Sequence, residues 1–155
     1  MLLFSYGANM AASEMAAGAP AARFLGVARL DGFALGFRRR SVRWRGGAAD
    51  IVPAPGSSVW GVLHELPDDQ FGDLDAKEGL GFAYRRRSVC VEHDGRRVSA
   101  VAYEVIDKEP SDVPPTADYL ELLRDAGRER GLPDDHLAVL DAFPSHIGED
   151  PSQIR

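Results

Sequence analysis

The sequence predicts an α+β domain in which hairpin-linked strands form a strongly curved sheet or a small barrel, with helices around it. Three observations lead there. The dipeptides Asp31-Gly32 and Asp94-Gly95 each sit between apolar runs, the local signature of a hairpin, and hairpins make antiparallel pairs. Strands gather ahead of the first sizeable helix instead of alternating with helices, which argues against a doubly wound parallel sheet. Finally, 155 residues with 45% hydrophobic and 27% charged side chains suit one globular domain with its own core. No internal repeat or Pro/Gly/Ser-rich linker divides the chain, so residues 1–155 read as a single domain.

Met1 to Tyr6 is a short apolar run stopped by Gly7, the pattern of a buried strand entering a tight turn, Tyr6-Gly7-Ala8-Asn9-Met10. Ala11 to Ala17 favours a short helix, with Ser13 as a possible cap and an end near Gly18. Phe24–Arg29 and Phe33–Phe37 are expected to pair about Asp31-Gly32. Ile51-Val52 leads through Pro53, Pro55 and Gly56 into a further strand, Val59–Leu66, so four or five short strands precede the first sizeable helix. That helix starts at about Pro67 and stops at Gly79, with Asp68 and Asp69 at its favourable end. On it Phe71, Leu74 and Glu78 share one face, while Asp73 and Lys77 form an i,i+4 pair elsewhere on the surface. A second hairpin joins Arg87–Glu92 to Val98–Ile106 around Asp94-Gly95. Thr116 or Asp118 caps an amphipathic helix over about 117–130, another runs from about 133 to 143, and a polar tail covers about 144–155.

The net charge is −6, which gives no general affinity for nucleic acid or anionic membrane. Yet residues 1–66 hold seven Arg against four acids, and Arg is knotted at Arg38-Arg39-Arg40 with Arg43 and Arg45, and at Arg85-Arg86-Arg87. Trp44 beside the first knot raises single-stranded nucleic acid as a partner; a solvated rim of strand ends is the plainer alternative. The single cysteine, Cys90, lies between two valines and reads as a small buried hydrophobe in a reducing compartment. No signal peptide or membrane span is expected, and the protein is placed in the cytoplasm. Oligomeric state has no readable signal.

Common site chemistries find little support. The histidines, His64, His93, His136 and His146, are scattered and read as surface or satisfied polar residues, so no metal site is expected. There is no Gly-x-Ser-x-Gly elbow, phosphate loop or dinucleotide fingerprint. Two features remain. Glu78 ends an apolar stripe, where partial desolvation would raise its pKa toward the range useful for proton transfer, although a solvated helix end gives the same pattern. The turn at Gly7 exposes backbone N–H groups that can hold an anion.

Together these residues resemble the γ-glutamylcyclotransferase family, over nearly the whole chain. The resemblance rests on Phe4-Ser5-Tyr6-Gly7-Ala8-Asn9-Met10, Val27-Ala28-Arg29-Leu30, Trp44-Arg45-Gly46-Gly47-Ala48-Ala49, Val59-Trp60-Gly61-Val62 and Leu74-Asp75-Ala76-Lys77-Glu78-Gly79, with Pro114-Pro115 through Tyr119 to Gly131-Leu132-Pro133. It implies a small mixed, mostly antiparallel β-barrel flanked by helices. It also implies a cofactor-independent enzyme: the α-amine of a small-molecule γ-glutamyl substrate attacks its own γ-carbonyl, giving 5-oxoproline and a free amine. On this resemblance Glu78 is the acid/base, Tyr6, Gly7, Ala8, Asn9 and Met10 form the substrate loop, and Tyr84 and Tyr119 shape the pocket. Ala8 stands where several members have Ser, which removes a hydroxyl and leaves the amide. Nucleophile and electrophile share one molecule, so orientation and proton movement suffice and no nucleophilic Ser or Cys is called for.

Arg43 and Arg45 are candidates for selecting the leaving amine, in place of a nucleic-acid role. The alternative from another class is a non-catalytic module that binds a γ-glutamyl metabolite or a protein partner on the same fold.

Overall fold

Leu3, Phe4 and Ser5 are all buried although side chains of a strand alternate, because β1 (Leu2–Ser5) is covered on both faces. Phe4 points into a barrel interior; Leu3 meets the helices outside it. In this computed structural model, which describes residues 1–146, β1 is joined by β2 (Arg23–Ser41), β3 (Gly46–Glu65), β4 (Tyr84–His93) and β5 (Arg96–Val105) in a closed barrel of order β1-β3-β2-β4-β5. Neighbours are antiparallel except where Leu3 meets Val101, the parallel contact of β1 with β5 that closes the ring. The helices are α1 (Ala12–Gly18), α2 (Phe71–Glu78), α3 (Ala117–Arg130) and α4 (Asp134–Ala142).

Asp31-Gly32 does not make a hairpin. β2 runs straight through it, with Gly32 at φ 85°, and stays paired to β3 on both sides. Asp31 faces Ser58 and Phe33 faces Pro53, so residues 54–57 of β3 bow out opposite the glycine. The left-handed backbone that Gly allows serves a bulge as well as a turn, and only the partner strand decides which forms. Three strands, two of them long, therefore precede α2. A second irregularity lies between Gly36 and Arg39: Gly36 faces Asp50 and Arg39 faces Ala48, so Phe37 and Arg38 stand against Ala49 alone, which has no register partner.

The second hairpin forms as expected, with Asp94 at φ 50° and Gly95 at φ 76°. Val89 and Val91 face inward, which turns Cys90 outward; it is exposed, not buried. Ser13 lies inside α1, whose cap position is Ala11 and carries no side-chain bond. On α3 the Thr116 hydroxyl accepts the Tyr119 N–H at 3.2 Å, and Gly131 ends the helix at φ 84°. Tyr119, Leu120 and Leu123 then enter the barrel core beside Phe4, Phe37 and Leu63. A second cluster of Leu3, Met15, Leu66, Phe71, Leu74 and Tyr103 fixes α1 and α2 to the outer wall. Of the expected polar tail, residues 147–155 lie outside the described residues; just before them the His146 N–H donates to the Pro115 carbonyl at 2.9 Å. No helix among the described residues is long and apolar enough to cross a membrane.

Most of the knotted arginines are held by carboxylates. Arg38 pairs with Asp112, Arg40 with Glu109, Arg43 with Glu14, Arg85 and Arg87 with Glu104, and Arg86 with Asp75. Burial pushes the Glu104 carboxyl up, but Arg85, Lys108 and Arg87 together outweigh it and hold it below the usual range. The basic excess of the N-terminal half is thus largely answered within the fold.

Gly47 marks where β3 meets the loop before α3. A Cβ there would sit 1.9 Å from the Val113 carbonyl oxygen, and the Gly47 N–H donates to the Pro114 carbonyl at 3.1 Å. Gly47→Ala is expected to destabilise the protein by about 1–3 kcal/mol through forced backbone displacement, read by urea unfolding.

His64 and His136 are buried, not superficial, and His64 Nδ1 and His136 Nε2 have no hydrogen-bond partner. Burial holds both pKa values down to about 4, with Arg130 adding to the effect on His64. The unfolded chain takes up these protons below about pH 6.5 and the folded one does not, so stability falls as pH drops from there toward 4. Urea titrations should show a loss of roughly 2 kcal/mol per histidine between pH 7 and 5, and His64→Leu or His136→Leu should flatten that slope.

Candidate active site

Where β1 ends, the chain turns through Tyr6 and Gly7 into a short 3-10 turn, Ala8–Met10. This turn, the end of β2 with the connection after it (residues 41–44), the end of α2 and the tyrosines 6, 84, 103 and 119 surround a cleft of about 240 Å3. The Met10 N–H is used within the turn, donating to the Gly7 carbonyl at 3.0 Å. The amides of Gly7, Ala8 and Asn9 have no partner among the described residues, as expected at the start of a helical turn.

Glu78 is the last residue of α2, directly before Gly79 at φ 66°. Its half-buried carboxylate accepts a hydrogen bond from Asn9 Nδ2 at 2.7 Å. Asn9 Oδ1 in turn accepts from Lys77 Nζ at 2.9 Å, so neighbouring charges on α2 grip the two ends of one amide. Lys77 also donates to the Glu14 carbonyl at 2.5 Å and lies 3.6 Å from the Glu14 carboxylate. Arg43 Nη2 reaches both oxygens of that carboxylate, at 2.6 and 2.9 Å, and its guanidinium lies 4.4 Å from the centre of the Trp44 ring. A continuous polar chain therefore runs from the cleft rim to Glu78.

The wall opposite is set by Ala49. It has no register partner on β2, and its polar groups are met by tyrosines: its N–H donates to the Tyr119 hydroxyl at 2.9 Å, and its carbonyl accepts from the Tyr84 hydroxyl at 3.0 Å. The Tyr119 hydroxyl thus spends a lone pair on Ala49 and keeps its own hydrogen, for which no acceptor occurs among the described residues. Tyr6 donates to the Tyr103 carbonyl, and Tyr103 donates to Asp75 at 2.6 Å, below the cleft.

Burial is the main influence on charge here. It raises the Glu78 pKa above the ordinary glutamate value, against the Asn9 hydrogen bond and the Lys77 and Arg43 cations, which favour the carboxylate. Burial lowers the Lys77 pKa, partly offset by Glu14 and Glu78. It also raises those of Tyr6, Tyr84 and Tyr119 above the ordinary phenol value. A half-buried carboxylate with a raised pKa, in one cleft with open amides and a free phenol hydrogen, can take a proton from a bound group and return it.

Residues 58–140 match the model of the AIG2-like family. The chain belongs to this family. Among curated relatives, the γ-glutamylcyclotransferase of Bos taurus is 31% identical over 138 residues, covering 85% of this chain and 72% of that protein. That of Homo sapiens is 30% identical over 148 residues, covering 92% and 78%. A solved structure of a γ-glutamyl cyclotransferase superposes with a TM-score of 0.89 at 28% identity, over 99% of this chain and 96% of that one. The barrel of this AIG2-like protein, mixed and flanked by helices, is the architecture its sequence implied.

Of the residues singled out in the sequence, Glu78, Tyr6, Gly7, Ala8, Asn9, Tyr84, Tyr119 and Arg43 all line the cleft. Met10 does not: its side chain is fully buried with Val62, Ala126 and Leu132. Arg45 is exposed, at φ 57°, and is not part of the lining. Lys77 makes no surface pair with Asp73. Gly18 lets α1 approach α2 so closely that an added Cβ would meet Leu74 and Lys77 at 2.7 and 3.1 Å, and Lys77 is directed along α1 to Glu14 and Asn9. Glu14, Lys77, Arg39 and Trp44 were missed as site residues. Their roles depend on the α1–α2 contact and the β2–β3 register, for which the sequence has no local motif.

Lys77→Met removes a cation that favours the charged form of Glu78, so the Glu78 carboxyl should titrate at higher pH than in the parent protein. Carbon-13 NMR of the glutamate carboxyls reads this directly; an unchanged or lowered midpoint would show that Lys77 does not act on Glu78.

Proposed function

We propose that this protein is a cofactor-independent γ-glutamylcyclotransferase that cleaves a γ-glutamyl amide by closing the glutamyl half onto itself. The observation that carries it is Glu78: a half-buried carboxylate with a raised pKa, held at 2.7 Å by Asn9 in a cleft that is also lined by the turn with three open amides. Kinship with γ-glutamylcyclotransferases supports the same reaction.

The open N–H groups of Gly7, Ala8 and Asn9 suit the α-carboxylate of the glutamyl moiety. The α-ammonium then faces Glu78, which takes one proton and leaves a nucleophilic amine. That nitrogen attacks the γ-carbonyl carbon, a C–N bond forms as the carbonyl π bond opens onto oxygen, and a five-membered ring closes. The Tyr119 O–H is available to donate to the substrate. As the tetrahedral centre collapses, Glu78 returns its proton to the leaving nitrogen and the scissile C–N bond breaks; the ring nitrogen gives its second proton to Glu78, which passes it to the amine, so the lactam is neutral, the amine leaves as its ammonium and Glu78 is ionised again. The products are 5-oxoproline and the free amine, and water is not consumed. Holding both reacting groups in a near-attack geometry supplies part of the rate, and proton transfer supplies more. The substrate is a small molecule, and the single cysteine is the feature supporting a cytoplasmic location.

Glu78→Gln keeps the size of the side chain and removes its basicity. It should lower 5-oxoproline release at least about 100-fold with the circular dichroism spectrum unchanged; full activity would remove Glu78 from the mechanism. Since Glu78 must be ionised in the free enzyme, kcat/KM should rise with pH through a midpoint above the ordinary glutamate value. A midpoint at or below that value would contradict the proposed base.

A further inference from the structure

α2 is only eight residues long, too short to hold itself in water, yet its last residue is Glu78. Its final turn must be fixed from outside the helix. Three residues before Glu78 stands Asp75, a buried carboxylate on the same helix. Withdrawing a charge from water is costly unless partners meet it, and here they come from two strands at once. Arg86 on β4 and Tyr103 on β5 face each other in the ladder. Arg86 offers its fork to both oxygens of Asp75, with Nε 2.9 Å from Oδ1, and Tyr103 donates its hydroxyl to Oδ1 at 2.6 Å. The Arg86 guanidinium also lies 4.8 Å from the centre of the Phe71 ring, so one side chain grips α2 at its first residue and again a turn later. The Asp75 carbonyl accepts the Leu80 N–H at 2.9 Å and closes the turn that carries Glu78.

Tyr103 has a second connection. Its backbone carbonyl accepts the Tyr6 hydroxyl, and Tyr6 directly precedes the turn with the open amides. Both halves of the site therefore hang from one residue, the amide turn from the Tyr103 carbonyl and α2 from its hydroxyl. Tyr103 borders the cleft, but its hydroxyl hydrogen is spent on Asp75. The Asn9–Glu78 bond spans the same two elements, yet it is made by the carboxylate that must itself move protons. A frame beneath the cleft relieves that bond of holding the helix.

We propose that Tyr103 and Arg86, acting through Asp75, are positioning residues that fix Glu78 relative to the amide turn. Their part is to place Glu78, not to contact the reacting atoms. The kinetic consequence rests on the γ-glutamyl reaction proposed above; the placement of Glu78 does not.

Tyr103→Phe removes the hydroxyl that reaches Asp75 and keeps both the ring and the carbonyl that holds Tyr6. It changes no charge, and the charged groups acting on Glu78, which are Lys77, Arg43 and Glu14, stay as they are. Burial is the largest influence on the Glu78 carboxyl, so a side chain that slips from its place should titrate closer to the ordinary glutamate value. Carbon-13 NMR should therefore give a lower Glu78 midpoint in Tyr103→Phe than in the parent protein. Arg86→Lys keeps the charge and gives up the fork, and its midpoint should fall as well. A role in stability alone would ease urea unfolding and leave both midpoints at the parent value. With γ-glutamyl-alanine as substrate, Tyr103→Phe should lower kcat about tenfold or more while KM stays within about twofold, because a small misplacement costs rate and the amide turn keeps its anchor. Parent midpoints in both folded variants, or a loss carried by KM alone, would overturn the proposal. Should Tyr103→Phe fail to fold, the Arg86→Lys midpoint decides. If the parent protein releases no 5-oxoproline, the proposed reaction fails and the carbon-13 midpoints alone decide whether Tyr103 and Arg86 place Glu78.

Discussion

The site depends on the unpaired backbone of Ala49. It falls at a β-bulge, without a register partner on β2, and buried peptide groups do not remain unsatisfied. Tyr119 from α3 and Tyr84 from the start of β4 supply the missing bonds. Satisfying one residue thus ties three distant segments of chain to one wall of the cleft. It also shows why these tyrosines resist division into structural and functional groups: the bond that places each ring is the bond that completes the sheet. The same bulge decides which arginine of the first knot turns into the cleft.

On the other wall, Asn9 plays the corresponding part. Its amide has a donor end and an acceptor end, and Lys77 occupies the acceptor, so the donor must face Glu78. An ammonium accepts nothing, which makes this orientation unambiguous. Glu14 secures Lys77 and, through Arg43, links the β2–β3 connection to the same group. Glu78 is therefore positioned by charge as well as by helix geometry.

Much of this was legible in the sequence because it is local. Gly79, Thr116, Gly131 and Asp94-Gly95 act through their own backbone or the next turn, and the apolar stripe ending at Glu78 follows from helical period alone. Asp31-Gly32 misled because the same left-handed conformation serves a bulge, and the partner strand lies some twenty residues further on. Cys90 misled because flanking valines look like a continuous buried run until the register gives alternate faces. The Arg39 environment and the Glu14–Lys77 contact arise from tertiary packing, where neither residue type nor spacing carries a signal. The resemblance supplied the assignment of Glu78, which the bare pattern could not separate from a solvated helix end.

The raised pKa of Glu78 has a consequence for turnover. A carboxylate kept short of water gains most from a cation placed beside it, and on the proposed reaction the substrate brings that cation as its own ammonium. Ring closure converts this nitrogen into a neutral lactam. The attraction that drew the glutamyl group toward the base is therefore consumed by the chemistry itself, and 5-oxoproline is left in a cleft that holds it less firmly than the molecule from which it was made.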